Sequence, residues 1–175
     1  MRPQQNPWDV LLQRAKRVGP RGSSYESLLE LEGRLGSNAF LTITPWWQDL
    51  LGRYYASGKK RLAVRAGRGA IKSTTGVDLA LNETLNGSWT VPQGEVHFFA
   101  FISQNKSEAQ QRLIQLETRL GALGLAFDKA GDQIVIPSLS RGFRVFACTI
   151  GAVSGFRCFG FVADELAKWR TADRS

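Results

Sequence analysis

The spacing of apolar residues changes several times along the chain, and each change predicts an element. Asn6-Pro7 followed by WDVLLQRAKRV predicts a capped amphipathic helix of about three turns, ended by Gly19-Pro20-Arg21-Gly22. Ser23 and Ser24 can cap the next segment, SYESLLELEGRL, whose Leu28, Leu29, Leu31 and Leu35 fall on one helical face. Thr44, with Pro45 at the first helical position, opens WWQDLLGRYYASG, where Trp46, Leu50 and Tyr54 recur at the i, i+4 spacing. After the break at Gly58-Lys59-Lys60, Leu62, Ala63 and Val64 read as a short buried strand, and Ser73 to Leu85 as a helix. A turn-rich loop, Asn86 to Gly94, leads into VHFFAFI, a near-continuous apolar run expected of a strand covered on both faces. NKSEAQQRLIQLETRLGALG carries the strongest helical pattern, with Ala109, Leu113, Leu116 and Leu120 on one stripe. QIVIP, FRVFACT and FGFVADE then read as strands. Strands alternating with helices predict an α/β fold with a mostly parallel sheet flanked by helices.

Composition narrows the partners. A chain of 175 residues with 43% hydrophobic and 22% charged residues is one globular domain's worth. Lys and Arg total 23 against 15 Asp and Glu, a net charge of +8, which favours a polyanionic partner such as nucleic acid. Cys148 and Cys158 lie among apolar residues without metal-ligand spacing, and His97 is the single histidine, so neither a zinc site nor a disulfide framework is expected. No apolar run reaches the length of a membrane span, and MRPQQNPWDV lacks the core of a signal peptide, so the expected protein is soluble and intracellular with no membrane partner.

The candidate chemistry begins at RLAVRAGRGAIKSTTG, a short apolar run, a glycine-rich turn, and Lys72-Ser73 opening a helix. In the common phosphate-binding loop GxxxxGK[ST], backbone N–H groups cradle phosphates, the lysine reaches the β/γ-phosphates and the hydroxyl holds Mg²⁺. Lys72 and Ser73 fit that pattern. The glycine positions are instead Ala66 and Ile71, with Gly67 and Gly69 inside the loop. Ile71 is the main departure, because a β-branched residue resists the positive φ this position needs, at roughly 1–2 kcal/mol. Downstream, the apolar strand FGFVA ends on Asp164 and Glu165. An Asp at a strand's carboxyl end can assist Mg²⁺ with Ser73, and a following Glu can deprotonate an attacking water; the alternative is that both acids cap the next helix. Gly151 to Gly155 misses the spacing of a nucleophile elbow, and Gly67 with Gly69 lacks the third glycine of a dinucleotide fingerprint.

These segments in this order resemble the large terminase subunits of tailed double-stranded DNA bacteriophages, over about Thr44 to Trp169. TPWWQDLL is similar to that family's adenine-recognition segment, RLAVRAGRGAIKST to its arginine-bearing phosphate loop, FAFISQNKSEAQQRL to the strand, polar turn and helix that follow, and SGFRCFGFVADELAKW to its Gly-x-Arg element and acidic strand end. The resemblance implies a P-loop NTPase of RecA/ASCE-like fold, with an N-terminal helical segment and adenine-recognition region over 1–60 and an ATPase core over 61–175. It implies an ATPase motor that hydrolyses ATP, with Mg²⁺, to translocate double-stranded DNA into a procapsid in the host cytoplasm. The implied partners are a homo-oligomeric ring, the portal and the small terminase subunit. Gln48 would hydrogen-bond adenine; Arg65, Gly67, Arg68, Gly69, Ala70, Ile71, Lys72, Ser73 and Thr74 would form the phosphate loop; Ser73 and Asp164 would serve the metal. Lys72 and Glu165 would be catalytic, with Arg157 as an arginine finger acting across a subunit interface. Ser103, Gln104 and Asn105 either touch phosphate or cap the helix after them.

The chain ends at Ser175, about ten residues after Glu165, so a sheet incomplete at its C-terminus and no nuclease domain are expected. Two other readings stand beside the motor. One is a catalytically impaired P-loop fragment that binds DNA or a partner; the other is a helicase-like DNA-dependent ATPase.

Overall fold

A computed structural model describes residues 22–40, 42–147 and 156–164. The helix predicted over 8–18, Cys148, the Gly151–Gly155 turn and Glu165 lie outside the described residues.

Three helices precede the first strand. Helix α1, Tyr25–Ser37, begins at Ser24, whose hydroxyl accepts from the Ser27 N–H while the Ser27 hydroxyl accepts from the Ser24 N–H, a reciprocal cap. Helix α2, Pro45–Ala56, starts on Thr44 with Pro45 in its first turn, as predicted. Its buried face differs from the predicted one: Trp47 and Leu51 are buried, while Trp46 is 52% exposed. The doublets Trp46-Trp47 and Leu50-Leu51 fit two helical faces equally well by period. Packing against Leu28 and Ile43 selects the second. Helix α3, Lys72–Asn86, follows the glycine-rich turn.

The five-stranded sheet has the order β2 (Asp128–Ala130), β3 (Gln133–Ile136), β4 (Arg141–Ala147), β1 (His97–Ser103), β5 (Cys158–Ala163). Strand β1, His97–Ser103, is buried along its whole length and lies parallel to both β4, Arg141–Ala147, and β5, Cys158–Ala163. Its residues alternate between two cores, as a strand covered on both faces requires. Phe99 and Phe101 join Leu31, Val77, Leu81 and Leu113 beneath the helices, and Phe98, Ala100 and Ile102 join Phe146 and Phe156 on the opposite face. Helix α4, Lys106–Ala122, buries the whole predicted stripe of Ala109, Leu113, Leu116 and Leu120.

Two expectations about strands are corrected. The sheet is mixed, because β3, Gln133–Ile136, runs antiparallel to β4 and pairs with a short edge strand β2, Asp128–Ala130. Gly131, at φ 59°, opens the two-residue turn that reverses the chain between β2 and β3. The strand predicted at Leu62–Val64 does not form; Leu62 and Ala63 are exposed and no described strand pairs with them. Three apolar residues between Arg61 and Arg65 satisfy a strand's composition, but a strand exists only where a neighbour completes its hydrogen bonds. Among the described residues no helix is long and apolar enough to cross a membrane.

Candidate functional site

The parallel strands β1 and β5 both point their carboxyl ends at the start of α3. There the glycine-rich turn, the first turn of α3 and Asp164 meet. Gly69 has φ 77° and Ile71 has φ 46° and ψ 26°, so the loop follows the left-handed path expected of it, with a β-branched residue where glycine is easiest. The strain has a visible counterweight. The half-buried Ile71 side chain packs against the cluster of Leu28, Ile43, Trp47 and Leu51, and the Trp47 indole N–H donates to the Ala70 carbonyl at 2.7 Å. Half-burying an aliphatic side chain contributes about 1 kcal/mol, the same order as the strain it offsets.

Ile71 is also the N-cap of α3. Its carbonyl accepts from the Thr75 N–H at 2.9 Å, and no side chain caps the helix. The N–H groups of Lys72, Ser73 and Thr74 therefore have no partner within the helix, and the first turn carries no acid. Such an end attracts anions. The Lys72 ammonium folds back over the turn, donating to Ala66 O at 3.0 Å and Gly67 O at 2.7 Å.

Ser73 and Asp164, 91 positions apart, are joined by a 2.6 Å hydrogen bond from the serine hydroxyl to Asp164 Oδ2. Asp164 continues the β5 ladder through its N–H to Ile102 O, which fixes its side chain at the strand's end. A third element reaches the same carboxylate: Arg112 of α4 lies 3.4 Å from Asp164 Oδ2. Sequence reasoning passed over Arg112, since nothing in the amphipathic pattern of α4 separates it from a surface arginine. Only its position beside Asp164 does.

The remaining predicted residues divide. Gln48 is exposed on α2, its carbonyl accepting from the Tyr25 hydroxyl at 2.9 Å; α2 is tied to the loop through the neighbouring Trp47. Arg65 and Arg68 are exposed, with no ion pair to a described acid. Thr74 is half-buried in the first turn of α3. Asn105 caps α4, accepting from the Glu108 N–H at 2.9 Å, while Ser103 is buried and Gln104 exposed. Arg157 stands at the other end of β5, paired with Glu95 at 2.9 Å. Seven residues of extended chain put it roughly 20 Å from Asp164. Within one chain it does not belong to this site. His97 bonds the same Glu95 at 2.9 Å.

The hydroxyl and carboxylate at 2.6 Å suit Mg²⁺, which takes hard oxygen ligands and is commonly held by one or two protein groups plus phosphate oxygens and water. Among the described residues no group of three or more His, Cys, Asp or Glu could form a self-contained metal cage. Lys72 and the N–H groups at the start of α3 suit an anionic ligand. No protein-family model, curated protein or solved structure matches the chain.

Proposed function

We propose that this chain binds Mg–ATP at the Ala66–Thr74 loop and hydrolyses it, as the ATPase part of a terminase-type motor that moves double-stranded DNA. The observation that carries this reading is the 2.6 Å hydrogen bond between Ser73 and Asp164. Two half-motifs, each weak alone, converge at one helix N-terminus with a lysine beside them. The free N–H groups of α3 would hold the β-phosphate, and Lys72 would exchange the carbonyls of Ala66 and Gly67 for β/γ-phosphate oxygens. Ser73 and Asp164 would hold the Mg²⁺, whose chemistry is to neutralise charge on the phosphates. Glu165, next in the chain, would accept a proton from water as the water oxygen bonds to the γ-phosphorus and the β,γ-bridging oxygen leaves with ADP. Gln48 would bond the adenine, and Arg157 would serve a neighbouring subunit's site. The net charge of +8 supports a DNA partner.

Titration of a fluorescent ATP analogue tests the reading. Lys72→Ala is expected to weaken binding by about tenfold or more, the scale of one charge-assisted phosphate contact. Equal affinity in the two proteins would overturn nucleotide binding at this loop. Glu165→Gln should keep binding and lose turnover.

A second reading, a P-loop module that binds without turnover, is favoured by one observation: Lys72 is already engaged by the carbonyls of Ala66 and Gly67. Wild-type protein that binds the analogue yet hydrolyses no ATP in the presence of DNA would decide for it.

A further inference from the structure

Arg112 is the one described arginine that reaches the Ser73–Asp164 pair. Its side chain is 16% exposed, held between α4 and the end of β5. A guanidinium offers five N–H donors in a fixed planar fork. Here the Nη1 group donates to Gln115 Oε1 at 3.0 Å, Nη2 makes a long 3.4 Å contact with Asp164 Oδ2, and the buried Nε has no acceptor at all. Structural arginines in this protein hold their partners at shorter range. Arg119 donates to Asp78 at 2.7 Å, and Arg141, whose Nε likewise lacks an acceptor, places three donor contacts of 2.8–2.9 Å on backbone carbonyls. Arg112 thus combines burial with unused donors, and buried donors without acceptors are rare in folded proteins.

Its position indicates what the missing acceptor is. Asp164 Oδ2 is contacted on one side by the Ser73 hydroxyl and on another by Arg112, so the guanidinium flanks the place proposed above for the metal and the terminal phosphates. A planar fork matches two phosphoryl oxygens far better than it matches the single carboxylate oxygen it now meets at long range. Lys72 and the N–H groups of α3 come from the loop side. Arg112 comes from α4, on the side of Asp164.

We propose that Arg112 is a nucleotide-sensing residue that contacts the terminal phosphoryl group of a nucleoside triphosphate and distinguishes it from the diphosphate. This rests on the assignment of the loop as a nucleotide site. When Ser73 and Asp164 turn to Mg²⁺, the guanidinium loses a partial partner and gains the γ-phosphate oxygens, an exchange that ADP does not offer.

The test compares dissociation constants of Mg-bound AMP-PNP and Mg-bound ADP, measured by calorimetry on the full chain, in wild type, Arg112→Gln and Arg112→Lys. Arg112→Gln should weaken AMP-PNP by about tenfold or more and change ADP by less than about twofold, since one charge-assisted contact is lost with only one of the ligands. Arg112→Lys, which keeps the charge but not the fork, should fall between. Retained ADP affinity itself reports a folded site. A triphosphate-to-diphosphate ratio unchanged in both variants overturns the role of Arg112 and leaves the nucleotide site standing. Wild type that binds neither ligand overturns both.

Discussion

Glu32 and Asp78 are both buried, and a single guanidinium, Arg119, serves the pair. Arg119 Nε donates to Asp78 Oδ1 at 2.7 Å, and Glu32 Oε2 accepts from the Ile43 N–H at 2.7 Å. The other oxygens, Glu32 Oε1 and Asp78 Oδ2, have no donor. Two carboxylates and one cation in a dry environment leave one negative charge in excess, and a proton on Glu32 removes it while supplying the missing donor. Burial, then the neighbouring Asp78 charge, accordingly push Glu32 from 4.5 up to about 7. Asp78 is also raised by burial, against the opposing pull of Arg119. Because the folded value of Glu32 lies above the unfolded one, its contribution is fully present below about pH 4.5 and is lost as pH rises through about 7. Urea unfolding between pH 5 and 8 should show wild type losing stability relative to Glu32→Gln as pH rises; parallel pH profiles would refute the shared proton. Ile71 is the other telling residue. Its side chain, unfavourable for the φ the loop needs, is also what fastens the loop to Trp47 and its neighbours.

Helix α3 is the element on which the site depends, and both of its ends are tied to the sheet. At the N-terminus Ser73 bonds Asp164 at the end of β5, and inside the helix Gly76 lets Val162 approach, since a Cβ there would stand 3.2 Å from Val162 Cγ1. At the C-terminus Arg141, at the start of β4, donates to the carbonyls of Thr84, Gly87 and Trp89 at 2.8–2.9 Å. A cation there satisfies carbonyls that the helix cannot and complements its dipole. Arg141→Ala should therefore destabilise the fold by about 2–3 kcal/mol, the scale of charged hydrogen bonds to partly buried acceptors. Arg53→Ala, which removes an exposed i, i+4 pair with Asp49, should change stability by about 0.5 kcal/mol or less. Chemical denaturation of the two variants checks the contrast, and equal losses would mean that Arg141 does not cap α3.

Across the whole molecule, charge is unevenly placed. Lys59, Lys60, Arg61, Arg65 and Arg68 are all exposed, and none pairs with a described acid. They run from the end of α2 into the glycine-rich loop, so a polyanion held along this strip would lie beside the proposed nucleotide site. Each phosphate neutralised by a cation adds about 0.9 to the steepness with which DNA affinity falls against log salt. Replacing Lys59, Lys60 and Arg61 with glutamine should reduce that slope by about 2 to 3 for duplex DNA, and a slope equal to wild type would remove the strip as a contact. The Arg157 position belongs to this scale too. At the opposite end of β5 from Asp164, it pairs with Glu95 and lies away from the Ser73–Asp164 pair of its own chain.

The sequence alone determined what depends on local pattern. The stripe of α4, the buried run of β1, the Ser24 cap, Pro45 in the first turn of α2 and the strand ending at Asp164 were all legible, because periodicity and caps are properties of a few consecutive residues. The loop at Lys72-Ser73 and the demand for positive φ at Ile71 were legible for the same reason. Tertiary structure decided the rest. It chose Trp47 over Trp46, left Leu62–Val64 unpaired, turned β3 antiparallel and gave His97 a partner in Glu95. It also brought Arg112 to the Asp164 oxygen that Ser73, its expected companion, meets. No local pattern marks Arg112 for a contact across 52 positions, because which faces meet is set by how all the elements share one core.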